Sequence, residues 1–303
     1  MRYTWILKAF WKEFSFQISR PYHLVRTAYP VWFNILNREA RKLYEDEPPA
    51  LNTVAERIVR DLKSTGIAVA HLEELFPGAD LLGQLQKHAQ KLLESAKIKK
   101  GKEFLLQLTE LRPVLNFNDP LVQLALAPNV LNIVNAYLEI FAKFKTFSLN
   151  LTLTMPLNSP ATKSQRWHRD PEDKKMCKMF VYLSDVDENS GPFIYIPESH
   201  YGGKWRKVFP QRPPRGYYPP DGAVERVIPA EAIKKMTGRA GTILFGDPSG
   251  LHKGGYALGR ERLMFTVTFA SSASLLKTFY SLPDNFKEQA KKLTAAQKYA
   301  LTS

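Results

Sequence analysis

Cysteine is all but absent: one residue, Cys177, in 303. No intrachain disulfide can form, which excludes a disulfide-stapled scaffold and fits a reducing compartment. A lone cysteine reads as a small core residue. Histidine is scarce too, at six, so any site built from imidazoles draws on a short set. Acidic residues are outnumbered 29 to 43 by lysine and arginine, leaving a net charge of +14. Repeats and low-complexity tracts are missing, and 44% hydrophobic with 24% charged residues excludes wholesale disorder. Lys8 and Lys12 interrupt the apolar N-terminal stretch MRYTWILKAFWKEFSF, which falls short of the ~20 apolar residues of a spanning helix. The stretch also lacks the small-residue cleavage site of a signal peptide. A cytoplasmic location is the expectation.

The positive charge is clustered. Residues 1–43 carry Arg2, Lys8, Lys12, Arg20, Arg26, Arg38, Arg41 and Lys42 against Glu13 and Glu39, and residues 201–220 carry five basic residues and no acid. Zinc-finger spacing, a basic region with heptads and ribonucleoprotein-type aromatic motifs are all missing. Nucleic acid is therefore not the expected partner, and an anionic small-molecule substrate or a membrane surface accounts for the clusters. In the N-terminal segment Ile6, Phe10, Phe14 and Ile18 recur at helical spacing. This predicts a helix that either packs on the main domain or rests as a basic, aromatic interfacial helix on anionic lipid.

EDEPPALN at 45–52 reads as a linker, and TVAERIVRDLKS at 53–64 as an amphipathic helix closed by Gly66. IAVAH at 67–71 predicts a strand, 80–97 a helix, and 119–138 two helices parted at Pro128. At 145 the period changes. In KTFSLNLTLTMP, Phe147, Leu149, Leu151, Leu153 and Met155 alternate with Thr146, Ser148, Asn150, Thr152 and Thr154. The hydroxyl- and amide-bearing face is either exposed or lines a small barrel around a polar ligand. Further strands are expected at 178–184, 192–197, 225–229 (ERVIP), 241–246 and 262–270, with DENSG at 187–191 as a turn, and a final helix near 284–300. The pattern is α+β, helices flanking a jelly-roll, cupin-like core. It divides into an extension over 1–48 and one domain over 49–303, with the strand core at about 144–271.

RWHRDPEDK at 166–174 sets His168 and Asp170 two apart. In an extended segment such residues point to the same side, so this is either a pair of metal ligands or a charged turn. His23, His71 and His88 fall in the helical N-terminal region, leaving His200 and His252 as candidates for a third ligand. His252 follows a strand and a Gly-rich turn in GTILFGDPSGLHKGG, and Arg262 opens the strand RLMFTVTFA. An arginine beside a metal suits a carboxylate, which its fork can hold with two parallel bonds. His-x-Asp with a distant His matches the facial triad of non-haem Fe(II) oxygenases.

Five segments in order, ERIVRDLKSTGIAVA, WHRD, LSDVDENSGPFIYIPESH, GTILFGDPSGLHKGG and RLMFTVTFA, resemble the phytanoyl-CoA dioxygenase family of Fe(II)- and 2-oxoglutarate-dependent oxygenases. The likeness runs from about residue 53 to 270. It implies a double-stranded β-helix, iron on His168, Asp170 and His252, and Arg262 on the distal carboxylate of 2-oxoglutarate. It sets His200, in a PESH like the family's P-G-S-H, on the barrel rim away from the metal, and it favours Arg262 over Arg260. It further implies dioxygen as co-reactant, ascorbate as a reductant, and release of succinate and CO2. Because Asp170 is retained, hydroxylation is expected rather than halogenation; desaturation, epimerisation and cyclisation use the same iron site. Some relatives carry a hydroxyl residue two after the distal histidine, where this chain has Gly254. Asn150 or Thr152 is expected to compensate in binding the cosubstrate. Arg212 and Arg215, in the basic loop at 202–222, are expected to meet the anionic substrate: a sugar phosphate, a CoA thioester or a lipid-linked molecule.

Overall fold

The computed structural model describes residues 18–95, 100–102, 104–213 and 216–302. Most of the expected N-terminal helix (Ile6, Phe10 and Phe14) and Arg215 lie outside these residues. Helical residues 18–26 lead through Pro30 into α1 (Arg38–Asp46). Trp32 anchors this segment: its ring is fully buried and its Nε1 donates to Asp173 Oδ1 at 2.6 Å. α2 (Thr53–Thr65) starts on Asn52, whose side chain accepts from Ala55 N at 2.9 Å, and presents Ala55, Ile58, Val59 and Leu62 to the core. It ends on Gly66 at φ 80°. β1 (Ile67–His71) follows, then α3 (Leu81–Ser95), and β2 (Lys100–Lys102) and β3 (Leu105–Gln107) form a short hairpin. α4 (Pro120–Ala125) and α5 (Pro128–Leu138) are the expected broken pair. The stretch is apolar enough to cross a membrane by composition, yet it is largely buried in the protein.

The sheets come from β4 (Lys143–Thr152), β5 (Met176–Tyr182), β6 (Phe193–Tyr195), β7 (Lys234–Met236), β8 (Thr242–Gly246), β9 (His252–Gly254) and β10 (Arg262–Ala270). Among the described residues these strands pair antiparallel throughout, in a large sheet ordered β1-β8-β5-β10-β4-β3-β2 and a small one ordered β7-β6-β9. Period-two patterning sorts the side chains. Phe147, Leu149, Cys177, Met179, Val181, Ile243, Phe245, Phe265, Val267 and Phe269 pack with the helices on one side of the large sheet. Phe180, Tyr182, Leu244 and Met264 point to the other side and meet Phe193, Tyr195 and Met236 of the small sheet. The hydroxyl and amide face of β4 therefore looks between the sheets, and Asn150 and Thr152 are buried there. Past Thr152 the alternation continues without a ladder, although Leu153 N still bonds Phe104 O at 2.9 Å and Met155 N bonds Ala257 O at 2.8 Å.

Two expected elements are corrected. ERVIP at 225–229 is not a strand: Ala223–Val227 is a helix, α6, entered through Gly222 at φ 71°. Val224 and Ile228, four apart, bury in one apolar cluster with Trp167 and Leu251 while Arg226 between them is exposed, whereas a strand would put all three on one face. The single helix expected near 284–300 is a short turn at Phe286–Gln289, a 3-10 turn, and α7 (Ala295–Leu301). Thr294 and Gln297 form a capping box that starts α7 afresh.

Gly66 fixes where α2 meets the barrel. A Cβ there would lie 2.4 Å from Tyr195 Oη and 2.7 Å from His200 Cγ, on a left-handed backbone. Gly66→Ala is expected to cost about 2–4 kcal/mol of stability, read by denaturant unfolding; a change below about 0.5 kcal/mol would show that this junction relaxes freely.

Candidate metal centre

His168 and His252 face each other as one isolated antiparallel pair, each backbone N–H donating to the other's carbonyl at 3.0 Å. The next anchor is Asp170 N to Pro248 O at 2.9 Å. Extended backbone puts His168 and Asp170 on one side and Arg169 on the opposite side. The ring centroids of the two histidines are 4.2 Å apart, and their Nε2 atoms lie 3.7 Å (His168) and 3.8 Å (His252) from Asp170 Oδ1. One ligand atom from each of the three falls within 4.8 Å of the others, a spacing that suits a metal ion. Each Nδ1 meets a carbonyl, Arg166 O at 2.8 Å and Gly250 O at 3.0 Å. A ring nitrogen against a carbonyl carries the proton, which leaves Nε2 as the lone-pair donor that a metal needs.

The charges agree with this arrangement. Burial holds the His252 imidazole down at about 3, helped by the neighbouring His168, so the ring is neutral at pH 7. Burial alone would raise the Asp170 carboxyl, but Lys178 and then His252 and His168 outweigh it and hold the group well below its usual range. Lys178, inward on β5, pairs with Oδ2 of Asp170 while Oδ1 faces the histidines. The carboxylate is thus oriented one oxygen to each task.

Arg262 lies directly opposite Thr152 in the β10–β4 register, with Met264 opposite Asn150. Its guanidinium is buried; it donates to Gly191 O, and its Nη2 donates to Thr152 Oγ1 at 3.2 Å. Its Nε is buried without a partner, as is Asn150 Oδ1. A buried charged donor left unpaired is costly, so the chain's geometry fits a carboxylate ligand at this arginine. Gly254 has room for more than hydrogen, since a Cβ would meet only Ser164 O at 3.6 Å. Its lack of a hydroxyl leaves Thr152 and the phenol of Tyr182 as hydroxyls beside Arg262.

Other expected residues lie elsewhere. His200 is buried with Nε2 3.3 Å from Lys63 O, outside the cluster. Its PESH turn puts Glu198 at φ 60°, a conformation glycine adopts more easily, where the resembled P-G-S-H carries glycine. Arg212 is exposed, with its guanidinium 4.1 Å from the ring centroid of Tyr217. The basic loop does reach the cluster through Tyr218, whose ring centroid is 5.7 Å from that of His168.

Sequence reasoning missed Arg169. It donates to the carbonyls of Ser199, Trp205, Val208, Phe209 and Ser249, joining the PESH turn, the basic loop and the turn before His252. Alternation placed it opposite the ligands, but its five acceptors are scattered carbonyls without any side-chain signature. It also missed Asp247, whose Oδ2 accepts from Tyr137 Oη at 2.5 Å and whose Oδ1 accepts from Ser249 N at 2.8 Å, bracing the same turn. Lys178 had a signal: a lone cation on the inward face of an otherwise apolar strand.

A double-stranded β-helix with a His-x-Asp and distant-His cluster between its sheets defines the non-haem iron oxygenase class. A profile of the phytanoyl-CoA dioxygenase family (PhyH) matches residues 69–260. The chain belongs to this family of Fe(II)- and 2-oxoglutarate-dependent oxygenases. Among solved structures, the epimerase SnoN in complex with Fe3+, alpha ketoglutarate and nogalamycin RO superposes with a TM-score of 0.54 at 14% identity, covering 75% of this chain and 87% of that one. EctD from S. alaskensis with 2-oxoglutarate and 5-hydroxyectoine gives 0.52 at 17% identity, covering 78% and 81%. At these identities they share the fold. Among curated protein sequences no significant match is found.

Arg169→Met keeps an aliphatic stem and strands the five carbonyls. It is expected to cost about 3–5 kcal/mol, with faster amide exchange across 205–211. Unfolding unchanged from the wild type would remove Arg169 from this role.

Proposed function

We propose that the protein hydroxylates an unactivated C–H bond of a small anionic molecule, with iron held by His168, Asp170 and His252 and 2-oxoglutarate by Arg262. The observation that carries this reading is the convergence of both Nε2 atoms on one oxygen of Asp170, with Arg262 buried between the sheets and its Nε unpaired. Bound together, Fe(II) and 2-oxoglutarate supply the oxidation: dioxygen is consumed, succinate and CO2 leave, and a C–H bond becomes C–OH.

The chain's part is placement. A neutral His252 imidazole and an ionised Asp170 are ready to bind a cation. Lys178 holds the outer oxygen of Asp170, so the carboxylate offers the metal a single atom. Arg262 and Thr152 receive one end of a dicarboxylate, and the apolar wall of Phe180, Phe193 and Met264 limits water around it. The hydroxyl and amide of Thr152 and Asn150 sort cosubstrate orientation through hydrogen bonds. Tyr218 and the loop that carries it form one side of the approach to His168, and Arg212 and Arg215 on that loop select for negative charge. The net charge of +14 and the acid-free stretch 201–220 support an anionic substrate.

A cytoplasmic enzyme with peripheral membrane contact is the accompanying reading. Its support is the exposure of Ile18, Tyr22, Leu24 and Val25 next to Arg20 on the N-terminal segment.

Anaerobic addition of Fe(II) and then 2-oxoglutarate to metal-free protein is expected to raise a weak visible charge-transfer band. His252→Ala should abolish it. Arg262→Gln should keep Fe(II) binding and weaken 2-oxoglutarate about 100-fold, as expected for losing a buried charge-assisted pair. Absence of any band from folded wild-type protein would overturn the iron reading. With substrate in hand, a product heavier by one oxygen supports hydroxylation, and a product lighter by two hydrogens assigns desaturation instead.

A further inference from the structure

A second polar cavity lies on the other side of the His-x-Asp segment. It encloses about 310 Å³ and is lined by Arg169, Lys174, Arg206, Lys207, His200 and Ser249, together with residues of the helical segment 18–27 and of the basic loop. No carboxylate lines it, although the buried Asp247 lies close enough to favour the charge of Arg169 and Lys174. Among the described residues, Lys174, Arg206 and Lys207 make no ion pair: Lys174 Nζ sits 4.0 Å from the ring centroid of Tyr201, and Arg206 Nη1 donates to Gly203 O at 3.2 Å. An anion entering this cavity would meet positive charge from several sides, with Arg206 and Lys207 at its exposed mouth.

Two lining groups are buried without a partner, and one of them is a donor. Ser249 and His200 are each only 2% exposed, and Ser249 Oγ and His200 Nδ1 are buried without a hydrogen-bond partner. The serine hydroxyl is a donor in want of an acceptor. The imidazole of His200 faces Lys63 O with Nε2 and packs its Cγ–Nδ1 edge against Gly66, so it serves as wall. Cations together with the free Ser249 hydroxyl match a dianion. Lys supplies point charge and Arg a planar fork for phosphate oxygens.

We infer that this cavity binds a phosphate monoester, at a site separate from the metal centre. The separation follows from strand geometry: Arg169 leaves the backbone on the side away from His168 and Asp170. The two sites still share a frame, because Gln211, another lining residue, donates to Asp170 O at 2.5 Å. The phosphate can belong to a soluble ester or to a lipid headgroup. Exposed Tyr22, Leu24 and Val25 on the segment that forms one wall stand where acyl chains would lie in the second case. The inference goes beyond the oxygenase reading and needs neither iron nor 2-oxoglutarate, so the two can fail independently.

The test uses the full chain, metal-free, with two probes. Inorganic phosphate is titrated calorimetrically, and phosphatidylcholine vesicles with and without phosphatidic acid are co-sedimented with the protein. Arg206→Gln with Lys207→Gln removes two exposed cations of the cavity. Lys287→Gln with Lys292→Gln removes the same charge from the C-terminal region and serves as the control; circular dichroism checks both folds. Phosphate binding that weakens about tenfold in the cavity variant and stays within about twofold in the control supports a soluble ester. Sedimentation that requires phosphatidic acid and falls only in the cavity variant supports a headgroup. Ser249→Ala should weaken whichever probe binds by about threefold through loss of one hydrogen bond. If neither probe binds, or if the control loses as much as the cavity variant, the inference is overturned.

Discussion

One buried guanidinium organises the molecule around its metal cluster. Arg169 sits between two of the proposed ligands and spends its donors on five backbone carbonyls from three separate segments. A buried cation bonded to no carboxylate is tolerable because those carbonyl dipoles converge on it and the nearby Asp247 favours its charge. Burial draws the guanidinium down to about 10, still well above neutral pH, so it stays charged and keeps every bond. The turn before His252, the PESH turn and the basic loop are thereby fixed relative to His168 and Asp170. Asp247 and Tyr137 brace the same turn from the helical side, which couples the small sheet to α5.

The cluster was legible where chemistry is local. A two-residue spacing in an extended segment, a histidine after a glycine-rich turn and an arginine opening a strand each state their geometry in a few letters. The large sheet was legible too, because strict alternation in 145–155 sorts Phe147 and Leu149 from Asn150 and Thr152. ERVIP misled because two β-branched residues in five outweigh a helix that only tertiary burial of Val224 and Ile228 decides. The break before α7 was in plain view as a Thr-x-x-Gln box at 294–297. Arg169 and Asp247 were hidden for another reason: their partners are backbone atoms far along the chain, and backbone atoms have no letter.

Polarity inside the barrel follows the same economy. The inward faces mix aromatic and aliphatic side chains with the hydroxyls of Thr146, Ser148, Thr266 and Thr268, and four further polar groups stand among them: Lys178, Asn150, Thr152 and Arg262. Each lies against another polar group or carries an atom still unpaired, so the interior marks in advance where a ligand belongs.

The reciprocal backbone pair between His168 and His252 has a consequence for the life of the metal. Backbone bonds of one ladder rung, not ligation, join these two residues, so the sheet itself supplies part of the ordering of the ligand set. In small zinc domains the ion itself drives the chain to fold. Here iron is expected to come and go as a guest: its loss would leave an intact, reloadable scaffold, and its occupancy would track the supply of Fe(II).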